Sequence, residues 1–242
     1  MKYKNLVTTR YIFSGIVTLI GLPAYLFLEG NLYFFLVATL YGLVINNIAQ
    51  IGYHRWLCHN HFEPSPWARK FILACISISG MGPPGHHVVA HINHHAKTDT
   101  PEDTHSPKYL SFWQIFLGRY NTPKHIKAMQ LRNFMRQKDA VFVNENYWKL
   151  YILSAIIHCF VSPWLLIWLG FGYFHGFFAF NVQNYWGHSG KKGKPTDLHP
   201  VVNFMMLGEG LHSHHHHKPQ DAIFGKQDWG GKYIVPLLTS KV

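Results

Sequence analysis

The chain has 242 residues and a formal net charge of +11, with 48% hydrophobic and only 14% charged residues. Soluble domains carry roughly 25% charged residues, so this composition excludes an ordinary water-soluble domain and points to a membrane protein. Nucleic acid is excluded as a partner by where the charge falls. No Lys or Arg occurs from Tyr11 to His54 or from Leu150 to Gly190, whereas a nucleic-acid surface mixes basic residues with aromatics on a soluble face. The cysteines Cys58, Cys75 and Cys159 are odd in number and lack C-x-x-C spacing, which argues against a disulfide framework or a thiolate zinc site.

In chain order, Met1 to Arg10 is a short basic leader with no small-residue cleavage site after it, so it is expected to stay in the mature protein. Each Lys- and Arg-free window is long enough to cross a bilayer twice at about 20 residues per crossing. The first window gives spans 11–28 and 32–51, joined by an outer turn at Glu29-Gly30-Asn31. Pro64 to Met81, with Arg69 and Lys70 near its start, is too short to span and suits an interfacial amphipathic helix. Gly82-Pro83-Pro84-Gly85 breaks it, and Thr98 to His105 is a polar loop rich in turn residues. Tyr109 to Lys149 mixes aromatics with basic residues, as expected of a surface helix against anionic headgroups.

The second window gives spans 150–169 and 173–188, turning at Gly170-Phe171-Gly172 and leaving at Lys191, Lys192 and Lys194. The remainder is cytosolic and ends in an apolar strip, Tyr233 to Leu238. Basic residues flanking paired spans place both termini and the central segment in the cytoplasm. The expected architecture is therefore all-α: a single membrane-embedded domain over 1–242 with four transmembrane helices, interfacial helices, and a cytosolic, histidine-rich cap made of 52–149 and 189–242. The short chain without a C-terminal dilysine signal favours a bacterial inner membrane over the endoplasmic reticulum.

The cap carries three histidine clusters. His212, His215 and His216 are an i, i+3, i+4 set, and His91, His94 and His95 repeat the H-x-x-H-H pattern, so each trio shares one helix face. His54 and His59 have H-x4-H spacing, about 140° apart on an α-helix, and converge only if the helix changes there. His188 follows Asn184 by one turn at the end of the fourth span and supplies a ninth imidazole. A first-row ion accepts at most about six donors, so nine imply two metals. Zinc is disfavoured by the lack of thiolate, and the Glu-x-x-His pairs of carboxylate-bridged di-iron bundles are missing. An imidazole-rich dimetal centre, with iron as the metal, remains.

The order H-x4-H, H-x-x-H-H, N-x3-H and G-E-G-x-H-x-x-H-H resembles the membrane fatty acyl desaturases of the stearoyl-CoA desaturase type. His54-Arg55, the Thr98-to-Asp103 loop and Lys218-Pro219 add local matches. The resemblance implies two iron ions held by His54, His59, His91, His94, His95, His188, His212, His215 and His216, with Asn184 acting through a water. It also implies an oxygen-dependent acyl desaturation, with an acyl-CoA, acyl-lipid or acyl carrier protein substrate. Electrons would come from an external carrier such as cytochrome b5 or ferredoxin with its reductase, and a basic cytosolic surface suits an acidic carrier. The chain departs from the family at Ile92-Asn93, where an arginine is usual, at His214, and at the bulky Tyr185-Trp186 between Asn184 and His188.

Asp99, Asp103, His105 and Glu209 are candidates for partners that fix imidazole tautomers. Any one cluster alone reads as well as an interfacial pair or a surface set; it is the joint occurrence on one side of the membrane that points to chemistry. His61, His86, His87, His125, His199, His214 and His217 are expected at the surface or interface, and His158 and His175 hydrogen-bonded within spans. Two other readings share part of the pattern: a histidine-rich membrane di-iron hydroxylase, and a non-enzymatic metal transporter. The latter would place its ligands along a path within the bilayer, not at the cytosolic exits.

Overall fold

A computed structural model describes residues 16, 19–116, 120–121, 123, 131–167, 181–188 and 194–240. The start of the first expected span, the fourth up to residue 180, His125, His175, Lys191 and Lys192 lie outside them. The described residues form helices and loops, without a strand. Helix α1 covers Leu19–Leu28, and α2 covers Leu32–Ile51. Between them Gly30 adopts φ +56°, which costs glycine nothing. The side chain of Asn31 then caps α2 by accepting from the Phe34 amide at 3.0 Å.

The α2 helix runs on without a break into a π-helical turn, Gly52–Cys58, and the combined Leu32–Cys58 helix is long and apolar enough to cross a membrane. At 1.5 Å per residue, α2 alone is about 30 Å long, the hydrocarbon thickness. One face is exposed and apolar (Leu36, Leu40, Val44), while Ala38, Gly42, Ile45 and Ala49 are buried. It is the one candidate membrane span among the described residues.

Helix α3, Pro66–Ile78, starts with proline at its first position and packs along α2. Gly52 permits the approach: a Cβ there would lie 2.3 Å from Cγ2 of Ile72. Arg69 and Lys70 sit near the start of α3, but Ile72 and Ile76 are wholly buried against neighbouring helices, so this segment is a core helix as well as an amphipathic one. Helix α4, Pro84–Lys97, carries the second histidine cluster.

Downstream the pattern differs from a single surface helix over Tyr109 to Lys149. Short helices α5 (Phe112–Phe116) and α6 (Arg132–Arg136) come first. Helix α7 then runs from Lys138 to Val161. The charged residues before Leu150 and the apolar run after it thus share one rod. Its amino-terminal half packs under α3 and α4, and its far half exposes Leu153, Ile157 and Phe160. The helix stops before Ser162-Pro163, because the residue preceding a proline is disfavoured in helical geometry. Residues 181–186 form α8, and α9 (Pro200–Met205) and α10 (His212–His217) follow. A second π-helical turn, Gly230–Ile234, leads into α11, Val235–Leu238. The tail is tied to the start of α3 by the Ser65 amide donating to the Leu238 carbonyl at 2.9 Å.

Candidate metal centre

The π-helical turn resolves the H-x4-H spacing. The His59 amide donates to the His54 carbonyl, 3.1 Å away and five residues back, and this wider winding swings both imidazoles to one side. Asn133 Nδ2 donates to the carbonyls of Trp56 and Leu57 at 3.1 and 3.2 Å, satisfying acceptors at the end of the turn.

Four elements then bring the nine imidazoles together in two groups. His54, His59, His91 and His215 form one and His94, His188, His212 and His216 the other, with ligand atoms in each group within 4.8 Å of one another. His95 joins the first, its Nε2 lying 3.0 Å from that of His91 and 2.8 Å from that of His215. The groups adjoin where the His95 and His216 rings stack at 4.6 Å.

Within each group Nε2 faces Nε2. His54 and His215 are 3.0 Å apart, His59 and His91 2.8 Å, His94 and His188 2.9 Å, and His188 and His212 2.7 Å. Ligands at right angles about an ion with bonds of about 2.1 Å stand about 3 Å apart. Burial is nearly complete for His94, His212 and His215. Burial first, and facing imidazoles second, lower the proton affinity of His91, His94, His212 and His215 well below the usual histidine range. His95 is pushed down to about 4, chiefly by burial and then by His188. Neutral imidazoles with converging lone pairs repel unless a cation sits between them, so the donor set fits two first-row metal ions.

Carboxylates stand behind the rings. Nδ1 of His94 donates to both oxygens of Asp103, at 2.9 and 3.0 Å. Nδ1 of His54 donates to Oε2 of Glu209. Asp103 is aimed by its loop, where it also accepts from the amides of Asp99 (2.8 Å) and His105 (3.1 Å). Asp99 lies 3.7 Å from Nδ1 of His188, beyond hydrogen-bond reach, while accepting from Ser106 Oγ at 2.8 Å. His105 stacks on His94 with ring centroids 4.2 Å apart. Asn184 is buried, and its Nδ2 has no hydrogen-bond partner among the described residues, as suits an amide that meets the centre through a water.

Gln183 carried no sequence signal. It donates to the Glu209 carbonyl at 2.6 Å and lies 3.1 Å from Nδ1 of His212. Asn93, in the second cluster, donates to the Glu102 carbonyl at 2.9 Å and to Thr104 Oγ1 at 3.0 Å, holding the Asp103 loop. His87, expected at the surface or interface, is half-buried against Tyr53 and His91. His158 accepts from or donates to the Tyr41 hydroxyl at 2.6 Å, and His214 contacts Asp221 at 3.0 Å.

Comparison with known proteins turns this geometry into an identification. The sequence model of the fatty acid desaturase family matches residues 30–223, most of the chain and every one of the nine imidazoles. The chain belongs to the fatty acid desaturase family. It is 28% identical over 195 residues to an icosanoyl-CoA 5-desaturase of Limnanthes douglasii, covering 73% of this chain and 53% of that protein. It is 22% identical over 189 residues to an sn-1 stearoyl-lipid 9-desaturase of Anabaena variabilis, covering 74% and 69%. It is 26% identical over 218 residues to delta-9 acyl-lipid desaturase 1 of Arabidopsis thaliana, covering 84% and 70%. The chain thus spans about half the length of the Limnanthes relative.

Proposed function

We propose that this fatty acid desaturase family member is an oxygen-dependent fatty acyl desaturase with two iron ions in its paired imidazole groups. The reading is carried by the two sets of neutral, buried Nε2 atoms at ligand spacing. His54, His59, His91, His95 and His215 would hold one ion, and His94, His188, His212 and His216 the other, with Asn184 reaching it through a water. The names of the relatives support a fatty acyl substrate, on CoA or in a lipid.

When bound, the iron pair supplies oxygen activation: an acyl CH2–CH2, O2, two electrons and two protons become CH=CH and two waters. The chain's own work is placement. Burial keeps the imidazoles unprotonated and excludes water, Asp103 and Glu209 hold the protons on Nδ1 so that Nε2 points inward, and the π-helical turn brings His59 beside His54. Electrons would come from an external carrier, such as cytochrome b5 or ferredoxin with a reductase, docked on the basic cytosolic side.

We extend the topology to four spans in one membrane-embedded unit over 1–242, with both termini and the metal centre cytoplasmic. The support is α2, its hairpin with α1, and the exposed apolar half of α7.

The test is expression in cells that lack unsaturated fatty acids, with His212→Ala as control, followed by fatty acid profiling with double-bond positions. A monounsaturated species made only by the intact chain is the expected result. Hydroxylated lipid would move the chain to the hydroxylases, and metal uptake that survives His188→Ala would point to transport.

A further inference from the structure

Arg55 is wholly buried beside His54, an unusual place for a guanidinium. Its Nε donates to Oε1 of Glu209 at 2.6 Å, while the other oxygen of Glu209 takes the Nδ1 proton of His54. The forked end points the other way. Nη2 donates to Oδ1 of Asp228 at 2.8 Å, and Nη1 donates to Oδ2 at 3.0 Å and to the Ala222 carbonyl at 2.9 Å. The guanidinium also lies over the Phe224 ring, 4.0 Å from its centroid.

Asp228 is equally enclosed. It accepts from the amides of Phe224 (2.7 Å) and Gly231 (2.8 Å). Two glycines approach it closely: a Cβ on Gly208 would come within 2.6 Å of its Oδ1, and one on Gly231 within 2.5 Å of its Oδ2, so a side chain at either would displace the carboxylate. The segment from Ala222 to Gly231 is therefore folded as a socket for one side chain.

Three buried charges are costly to desolvate and are poor evidence for stability alone. Their geometry has a different use. A guanidinium prefers to grip a carboxylate with two parallel bonds, and Arg55 released from Asp228 could turn its fork on Glu209 and take the oxygen that serves His54. Asp228 occupies the fork, so Glu209 meets Arg55 through Nε alone and keeps Oε2 for the imidazole. The three charges sum to one negative charge, delivered to the Nδ1 side of His54, where it strengthens the Nε2 donor.

We infer that Asp228 is a positioning residue for the metal held by the five-histidine group, acting through Arg55 and Glu209 on His54. It lies outside residues 30–223, which the family's sequence model matches. The inference rests on the reading that this group binds iron.

The experiment uses the purified full-length chain loaded with iron, read by iron content and Mössbauer spectrum, with circular dichroism as the check on folding. Asp228→Asn is expected to keep its helicity and the spectral component of the four-histidine group. The other component should be altered, and its iron should leave a chelator challenge about 10- to 100-fold faster. Glu209→Gln should alter the same component, and the double variant should be no worse than Glu209→Gln, because the two act in series.

An unchanged spectrum and release rate in Asp228→Asn, additive effects in the double variant, or loss of both components in proportion to lost helicity would each overturn the inference. Where Asp228→Asn does not fold, Gly231→Ala, which crowds both the Asp228 carboxylate and Nη1 of Arg55 while keeping every charge, is read the same way. Failure of both to fold marks the cluster as structural and overturns it too. Wild-type chain that takes up no iron would remove the metal reading itself, a result distinct from iron-replete variants with unchanged spectra.

Discussion

The His59 amide bonds to the His54 carbonyl, and the two rings meet edge to face with centroids 4.9 Å apart. The π-helical turn that allows this begins at Gly52, against Ile72 and Ile76 of α3. A methyl at Gly52 has no room, since it would overlap Cγ2 of Ile72. Gly52→Ala is expected to lower stability by about 1–3 kcal/mol and to reduce iron content. Adding Ile72→Ala removes the obstructing methyl and should recover part of both. Thermal unfolding in detergent with iron analysis checks this; a Gly52→Ala chain as stable and iron-replete as wild type would show that the close packing does not set the turn.

Asp103 holds His94 by two contacts from a loop whose amides point at the same carboxylate. Asp103→Asn keeps the shape and removes the charge. We expect about a 10- to 100-fold loss of metal affinity or of turnover, with the larger effect on the four-histidine group that contains His94. Competition with a graded series of chelators measures it. Wild-type affinity in Asp103→Asn would mean that a neutral acceptor at that position is enough.

The three clusters and their convergence were legible because each is a short-range pattern: H-x-x-H-H is a helix face, and the first Lys-free window marks apolar helices. The H-x4-H pair could be read only as far as the need for a change in winding. That the change is a π-helical turn depends on tertiary packing, on Gly52 against α3 and Asn133 on the terminal carbonyls. Asp103 and Glu209 were readable as polar residues close in sequence to the histidines. Asp228 and Gln183 were not, because they reach the centre from 173 and 29 residues away from Arg55 and His212, respectively, and neither sits in a periodic pattern. The apolar far half of α7 was legible, but not the helix's start at Lys138, since its first turns alternate between charge and core under α3 and α4.

Arg69 joins the start of α3 to the start of α7, its Nε and Nη2 donating to Asp139 at 2.5 and 2.9 Å. Burial alone would raise the Asp139 carboxyl, but the guanidinium more than offsets this and holds it below the usual carboxylate range. The unfolded chain, with an Asp near 3.9, takes up the proton first as pH falls. The contribution is thus present above about pH 4 and lost below it, toward the lower folded value. Asp139→Asn should narrow the gap between stability at pH 6 and at pH 3.5, by a small amount because the pair is partly exposed. Denaturation curves in detergent at the two pH values decide it; an unchanged gap would show that the pair adds nothing to acid stability.

The four-span reading places Glu29 outside and both Glu145 and Lys226 in the cytoplasm. Each of the three is exposed at the surface or at a turn and tolerates a cysteine without disturbing the core. In a chain whose Cys58, Cys75 and Cys159 are replaced by serine, a membrane-impermeant thiol reagent applied to intact cells should label Glu29→Cys alone. Glu145→Cys and Lys226→Cys should react only after permeabilisation. Labelling of Glu145→Cys from outside would mean that α2 does not end in the cytoplasm. Labelling of Lys226→Cys from outside, with Glu145→Cys protected, would mean an odd number of crossings between them. That outcome is hard to reconcile with His59 and His215, whose rings meet at 4.6 Å and require both segments on one side of the bilayer.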